Sequence, residues 1–327
     1  MSLSSSFGSS QRPGVPPLEV RLLRAGITES VHRVHAVVCD KRGRVLMRAG
    51  DPQQLSFMRS ALKPFQAQAY VSSGAADLAG ADSRSLAIAC ASHAGTPAHA
   101  REAFKILWSA DLETDQLQCP PPRADASPLE HNCSGKHAAF LATCRRMNWA
   151  LDTYLQPDHP LQQQVFKGVG ELLGLPGAEL VTARDDCGAP TLQIQLAQMA
   201  LLFAHLGGSE QPELERLSRA MLAHPELVAG EGRFDTELMR RGHGLVVSKG
   251  GAEGIQCLAR MGEGLGVAIK VEDGASRAKH AVTLHLLRQL DWLTALTLEE
   301  LEDQFLAPGP GLRLEVSGEL RFDAMAR

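Results

Sequence analysis

Strand-forming segments gather at the two ends of this chain, and helix-forming segments fill most of the space between them. Near the start, residues 18–24, 32–40 and 44–48 are short and apolar-rich. Asp40-Lys41-Arg42-Gly43 separates the second from the third and predicts a hairpin. Near the end, residues 244–248, 255–261 and 265–271 read the same way, punctuated by Gly250-Gly251 and by Gly262 and Gly264. Residues 312–322 predict a last short hairpin. Apolar residues recur at helical spacing over 62–73, 97–110, 136–149, 160–173, 191–206, 213–223 and 276–290. Gly74 stands where the first of these should end. Thr96-Pro97 supplies a cap and a first-turn proline for the second.

A sheet has to bury a face, so the two strand groups are expected to join. The prediction is an α+β fold, with one antiparallel sheet from the N- and C-terminal strands and a central helical lobe. Residues 18–60 and 240–327 would form the sheet-containing lobe and residues 61–239 the helical one, within a single domain spanning 18–327. Residues 1–17 are rich in Ser, Gly and Pro and predict an unstructured tail. A cleft between lobes is the default place for a site.

Several classes are excluded early. Across 327 residues the formal net charge is −4, with both signs interspersed, so no basic stripe points to nucleic acid. No apolar run approaches the ~18 residues of a membrane span. Seven cysteines, an odd number with no C-x-x-C pair, argue against a disulfide framework and for a reducing cytoplasm. The tail lacks the apolar stretch of a secretory signal. Homodimers are the commonest assembly, and one is expected here on that ground.

Five segments carry chemistry. Arg59-Ser60-x-x-Lys63 places a hydroxyl and an amine one helical turn apart at the start of the first predicted helix. A neutral lysine there can take the serine's proton, which a serine needs to become a nucleophile. A capping serine is the plainer reading. Cys90-x-Ser92-His93-x-Gly95 is a polar loop ahead of the helix opened by Thr96-Pro97. His131-Asn132-Cys133-Ser134-Gly135-Lys136-His137 is dense in ligating side chains, more than a helix cap requires. Asp185-Asp186-Cys187-Gly188-Ala189-Pro190 offers a soft ligand and a charge partner, or simply a polar turn. Lys249-Gly250-Gly251 follows a predicted strand and is similar to the Lys-Thr-Gly element of serine β-lactamases and penicillin-binding proteins.

Taken in order, and with Lys249-Gly250-Gly251-Ala252-Glu253-Gly254 and Lys270-x-Glu272-Asp273-Gly274 added, these segments resemble the rhizobial-type L-asparaginase family, also called asparaginase II. The resemblance implies a fold like that of serine β-lactamases and glutaminases, and hydrolysis of L-asparagine to L-aspartate and ammonia. It implies Ser60 as nucleophile, Lys63 as its base, and Ser92 with Lys249 as a second Ser-Lys pair. It implies zinc held by Cys133, Lys136 and Cys187. Arg59, His93, Asn132, His137, Asp185, Gly250 and Glu253 are then expected around the substrate. Convergent lysines and burial should depress one another's pKa, as an amine base or an amine ligand requires. The family pattern has glycine where this chain has Asp186. An extra carboxylate there is expected to bear on the metal group, and the position is a candidate for positive φ.

Two other classes compete. One is a different serine acyl hydrolase of the same fold, acting on glutamine, a β-lactam or a peptide. The other is a non-catalytic zinc- or amino-acid-binding protein, in which the Ser-Lys pairs lie idle.

Overall fold

The computed structural model describes residues 14–323. The expected tail, residues 1–17, lies outside the described residues as far as residue 13. The strands are β1 (Leu18–Arg24), β2 (Ile27–Asp40), β3 (Val45–Ala49), β4 (Leu55–Phe57), β5 (Val181–Arg184), β6 (Pro190–Gln195), β7 (Val246–Gly250), β8 (Ile255–Arg260), β9 (Leu265–Val271), β10 (Leu312–Ser317) and β11 (Arg321–Phe322). The N- and C-terminal groups join as expected, in an antiparallel sheet of order β10-β1-β2-β9-β8-β7, with β3 on β2 and β11 on β3. The join is the pairing of β2 with β9, from Val34 opposite Val271 to Asp40 opposite Leu265.

Alternation along these strands sends side chains into two separate cores. Val37, Cys39, Val247, Cys257 and Ala268 face the core that includes the helix Leu196–Gly207. Ala36, Val38, Val246, Leu258, Val267 and Ile269 face the helices Ser276–Gln289 and Ala295–Phe305. Both faces of the central strands are therefore covered, and β8 and the second half of β2 are buried almost throughout. No helix among the described residues is long and apolar enough to cross a membrane.

Two expectations fail. Residues 191–206 do not form one helix. Pro190–Gln195 is a strand between β4 and β5 in a second, three-stranded sheet, and the helix begins at Leu196. Thr191-Leu192-Gln193-Ile194 carries β-branched residues that fill the space between two partner strands, and Gln195 then caps the helix with Gln198. Residues 312–322 do not form a hairpin either. β10 pairs with β1 and β11 with β3, because both edges were still open to a further strand. Helices at Ser83–Ala89, Phe234–Arg241 and Ala295–Phe305 were not anticipated.

Candidate active site

The first motif sits where the chain turns from β4 into a helix. Met58 N–H donates to Leu192 O at 2.9 Å, and Arg59 N–H to Thr191 Oγ1 at 3.0 Å, so β6 fixes the entry. Arg59 takes a positive φ of 51°, a conformation costly for a non-glycine residue. Its guanidinium holds the turn in place, with Nε 2.7 Å from Asp185 Oδ1 and one terminal nitrogen 2.5 Å from Asp186 Oδ2. Ser60 then lies in a 3₁₀ turn, Arg59–Leu62, and Lys63 opens the α-helix Lys63–Ser72.

Ser60 lines a cavity of about 430 Å³ together with Ser92, Asn132, Asp235, Lys249 and Gly250. Lys63 Nζ does not hydrogen-bond Ser60. It donates to Ser92 Oγ at 2.9 Å, to Ala91 O at 2.7 Å and to Asn132 O at 3.4 Å. Lys249 Nζ reaches the same Ser92 Oγ at 2.9 Å and Gly250 O at 2.9 Å. One hydroxyl thus sits between two lysines, each only 1% exposed. Burial pushes Lys249 down to about 7; Asp235 pulls the other way, and the nearby Lys63 charge adds to the depression. The Lys249 strand end is stiffened by Asp235, which accepts from Ser248 Oγ at 2.7 Å, Gly250 N–H at 2.8 Å and Gln256 Nε2 at 2.7 Å. Burial disfavours that carboxylate's charge, but Lys249 and Lys279 hold its pKa below the ordinary value. Glycine at 251 is needed because a Cβ there would stand 2.7 Å from Met58 O.

Beside this lies a second buried cluster. Lys136 Nζ donates to Cys187 Sγ at 3.1 Å, and Cys133 Sγ to Asn132 Oδ1 at 3.0 Å. Hydrogen bonding from Cys133 and the charge of Lys136 overcome burial and hold the Cys187 thiol far below its usual range. Cys133 moves the opposite way, raised by Cys187 and by burial. For Lys136 burial works against the charge, but Cys187 and Cys133 outweigh it, so its pKa is raised. The expected mutual depression of lysines holds for Lys249 and fails for Lys136, because thiols rather than amines face the latter. Two sulfurs and one amine converge, and the buried His137 Nε2 next to them has no hydrogen-bond partner. That donor set fits a borderline-soft cation such as zinc. Among the described residues no three His, Cys, Asp or Glu side chains are grouped to hold a metal, and the expected set counts a lysine instead.

The remaining expected residues divide. Asn132 and Gly250 line the cavity. His93 is buried and structural: Gly95 N–H donates to its Nδ1 at 3.1 Å, so Nε2 carries the proton to Ser134 Oγ at 3.0 Å. His137 Nδ1 meets Tyr154 Oη at 2.7 Å, away from the cavity. Asp185 acts through Arg59. Glu253 sits exposed in the turn after β7 with φ of 56°, and does not line the cavity. Asp186 turns outward, 89% exposed, onto Arg59 rather than toward the thiols, and its φ is not positive. Lys270-x-Glu272-Asp273 is a clamp between strands, with His35 on Glu272 at 2.9 Å and His32 on Asp273 at 2.6 Å. All seven cysteines are free and buried.

Arg233, Asp235, Gln256 and Lys279, which also line the cavity, were not anticipated. The one usable signal was Lys279 with Thr283, polar residues on the apolar face of a helix.

A crystal structure of Mglu in its native form is similar at TM-score 0.37 and 13% identity, over 79% of this chain and 61% of that one. A β-lactamase from Mycobacterium bovis is similar at TM-score 0.36 and 14% identity, over 84% of this chain and 95% of that one. Likenesses this loose add nothing to the strand pairing described above. No curated protein matches the chain. The family model for L-asparaginase II matches residues 20–322, a span that takes in Ser60, Ser92, both thiols and Lys249. The chain therefore belongs to the L-asparaginase II family, a family of asparaginase-type amidohydrolases.

Proposed function

We propose that this protein hydrolyses L-asparagine to L-aspartate and ammonia through a covalent ester on Ser60. The observation that carries the reading is Ser92 Oγ, held 2.9 Å from both Lys63 Nζ and Lys249 Nζ in the cavity that Ser60 lines. The neutral Lys249 takes a proton from Lys63 through Ser92, and Ser60 Oγ then adds to the side-chain amide carbon and gives its proton to the Lys63 amine so freed. Ser92 takes a proton from Lys63 on one side and delivers its own to the departing nitrogen, so ammonia leaves neutral. Water then adds to the ester, its proton returns along the same path, and L-aspartate leaves. At least one amine must be unprotonated for this relay, and Lys249, with its pKa near 7, is the group that supplies that state around neutrality.

Cys133, Lys136 and Cys187 would hold a zinc ion as two thiolates and a neutral amine. Bound there, zinc would act as a Lewis acid on a substrate oxygen.

Replacing Ser60 by Ala tests the nucleophile. Ammonia release from L-asparagine is expected to fall by about 10³-fold or more, in line with other activated serine sites. Near-normal turnover would move the nucleophile elsewhere. A panel with L-glutamine and a β-lactam separates the other acyl hydrolases of this fold.

A further inference from the structure

The cavity lining bears three cations, Arg233, Lys249 and Lys279, against one carboxylate, Asp235. The carboxylate is already engaged by three donors. Lys249 is engaged by Ser92 and Gly250 O, and Lys279 by Gly251 O at 3.0 Å and Ile255 O at 3.3 Å. Arg233 differs. No hydrogen bond or ion pair joins its guanidinium to any described residue, although Arg240, seven residues on, is paired with Glu231 and Glu237.

The segment that presents Arg233 is fastened to the catalytic loop. Val228 O accepts from Ser92 N–H at 2.8 Å. Gly230 takes φ of 129°, and a Cβ there would stand 2.9 Å from Ala94 Cβ. Its N–H is tied to Thr236 Oγ1 at 3.2 Å. These contacts place residue 233 at the rim of the cavity, near enough that its charge acts on His93 and His99.

We infer that Arg233 is the specificity-determining residue that binds the substrate's α-carboxylate, so that the site selects amides which also carry a carboxylate. The inference rests on the amidohydrolase reading above. A guanidinium presents two parallel N–H donors that match a carboxylate, and it keeps its charge at every relevant pH. The unpartnered buried Gln256 Oε1, in the same cavity, is the acceptor left over for an ammonium. An exposed arginine at the rim of a lysine-rich cavity has its guanidinium free for an incoming anion.

The test compares three amides: L-asparagine, succinamate, which keeps the carboxylate and lacks the ammonium, and 3-aminopropanamide, which lacks the carboxylate. In Arg233→Ala, kcat/KM for L-asparagine and succinamate should each fall about 10- to 100-fold more than for 3-aminopropanamide, as expected for a lost charge-assisted pair. Arg233→Lys should restore part of the discrimination. A thermal melt close to the parent's shows that the variant is folded. Equal losses on all three amides would overturn the inference, as would selective loss in Lys279→Ala and not in Arg233→Ala. If the parent releases no ammonia from L-asparagine at all, the amidohydrolase reading itself fails, which is a separate outcome.

Discussion

Two clusters of buried lysine sit side by side and do opposite things. Lys249 and Lys136 are 1% and 2% exposed, and burial presses on both alike. Lys249 yields, its pKa falling to about 7, because burial outweighs the pull of Asp235 and the charges of Lys63 and Lys279 add to the depression. Lys136 resists, because it meets the Cys187 thiolate. Burial sets how strongly neighbours are felt, and the sign of the neighbour decides the outcome. One cluster is thereby suited to move protons and the other to hold charge still, or to exchange its protons for a metal.

The sharpest break between them is functional. Ser92→Ala removes the hydroxyl shared by Lys63 and Lys249, yet leaves each amine a backbone acceptor, Ala91 O and Gly250 O. Ammonia release should fall about 10²- to 10⁴-fold, with the urea unfolding midpoint little changed. A variant that unfolds early but turns over well would reverse the assignment of roles. The converse holds for Cys187→Ala. That change strands a buried ammonium, and stability should drop by about 3–5 kcal/mol in urea titration. Parent-like stability would mean that the thiolate does not hold Lys136.

The two lysines also part company in pH. The acid limb of kcat/KM is expected near pH 7, where Lys249 loses its proton. Asp235 raises that pKa, so Asp235→Asn should move the limb to lower pH. An activity flat from pH 6 to 8, or a limb displaced upward, would remove Lys249 from the relay.

Much of the fold was legible in the sequence because its signals are local. β9 begins and ends where alternation and glycine place it, and the helix Pro160–Leu173 follows from its period and from the proline that opens it. β6 was misread because Thr-Leu-Gln-Ile-Gln next to an apolar helix fits either period, and only the flanking β4 and β5 choose. The site shows the same division. Ser60, Ser92 and Lys249 were found because each lies in a compact motif. Arg233 and Asp235 were missed because nothing in Gly-Arg-Phe-Asp-Thr separates a cavity wall from an ordinary helix start.

The α+β layout and the order of the motifs are readable along the chain, since motif spacing and hydrophobic period are properties of short stretches. Which groups meet is a matter of the folded chain. It sent Lys63 to Ser92 rather than to its own neighbour Ser60, turned Asp186 out to Arg59, and gave two equally buried lysines opposite partners. Those outcomes depend on contacts between residues far apart in the chain, and an amine's charge is set by what surrounds it in space.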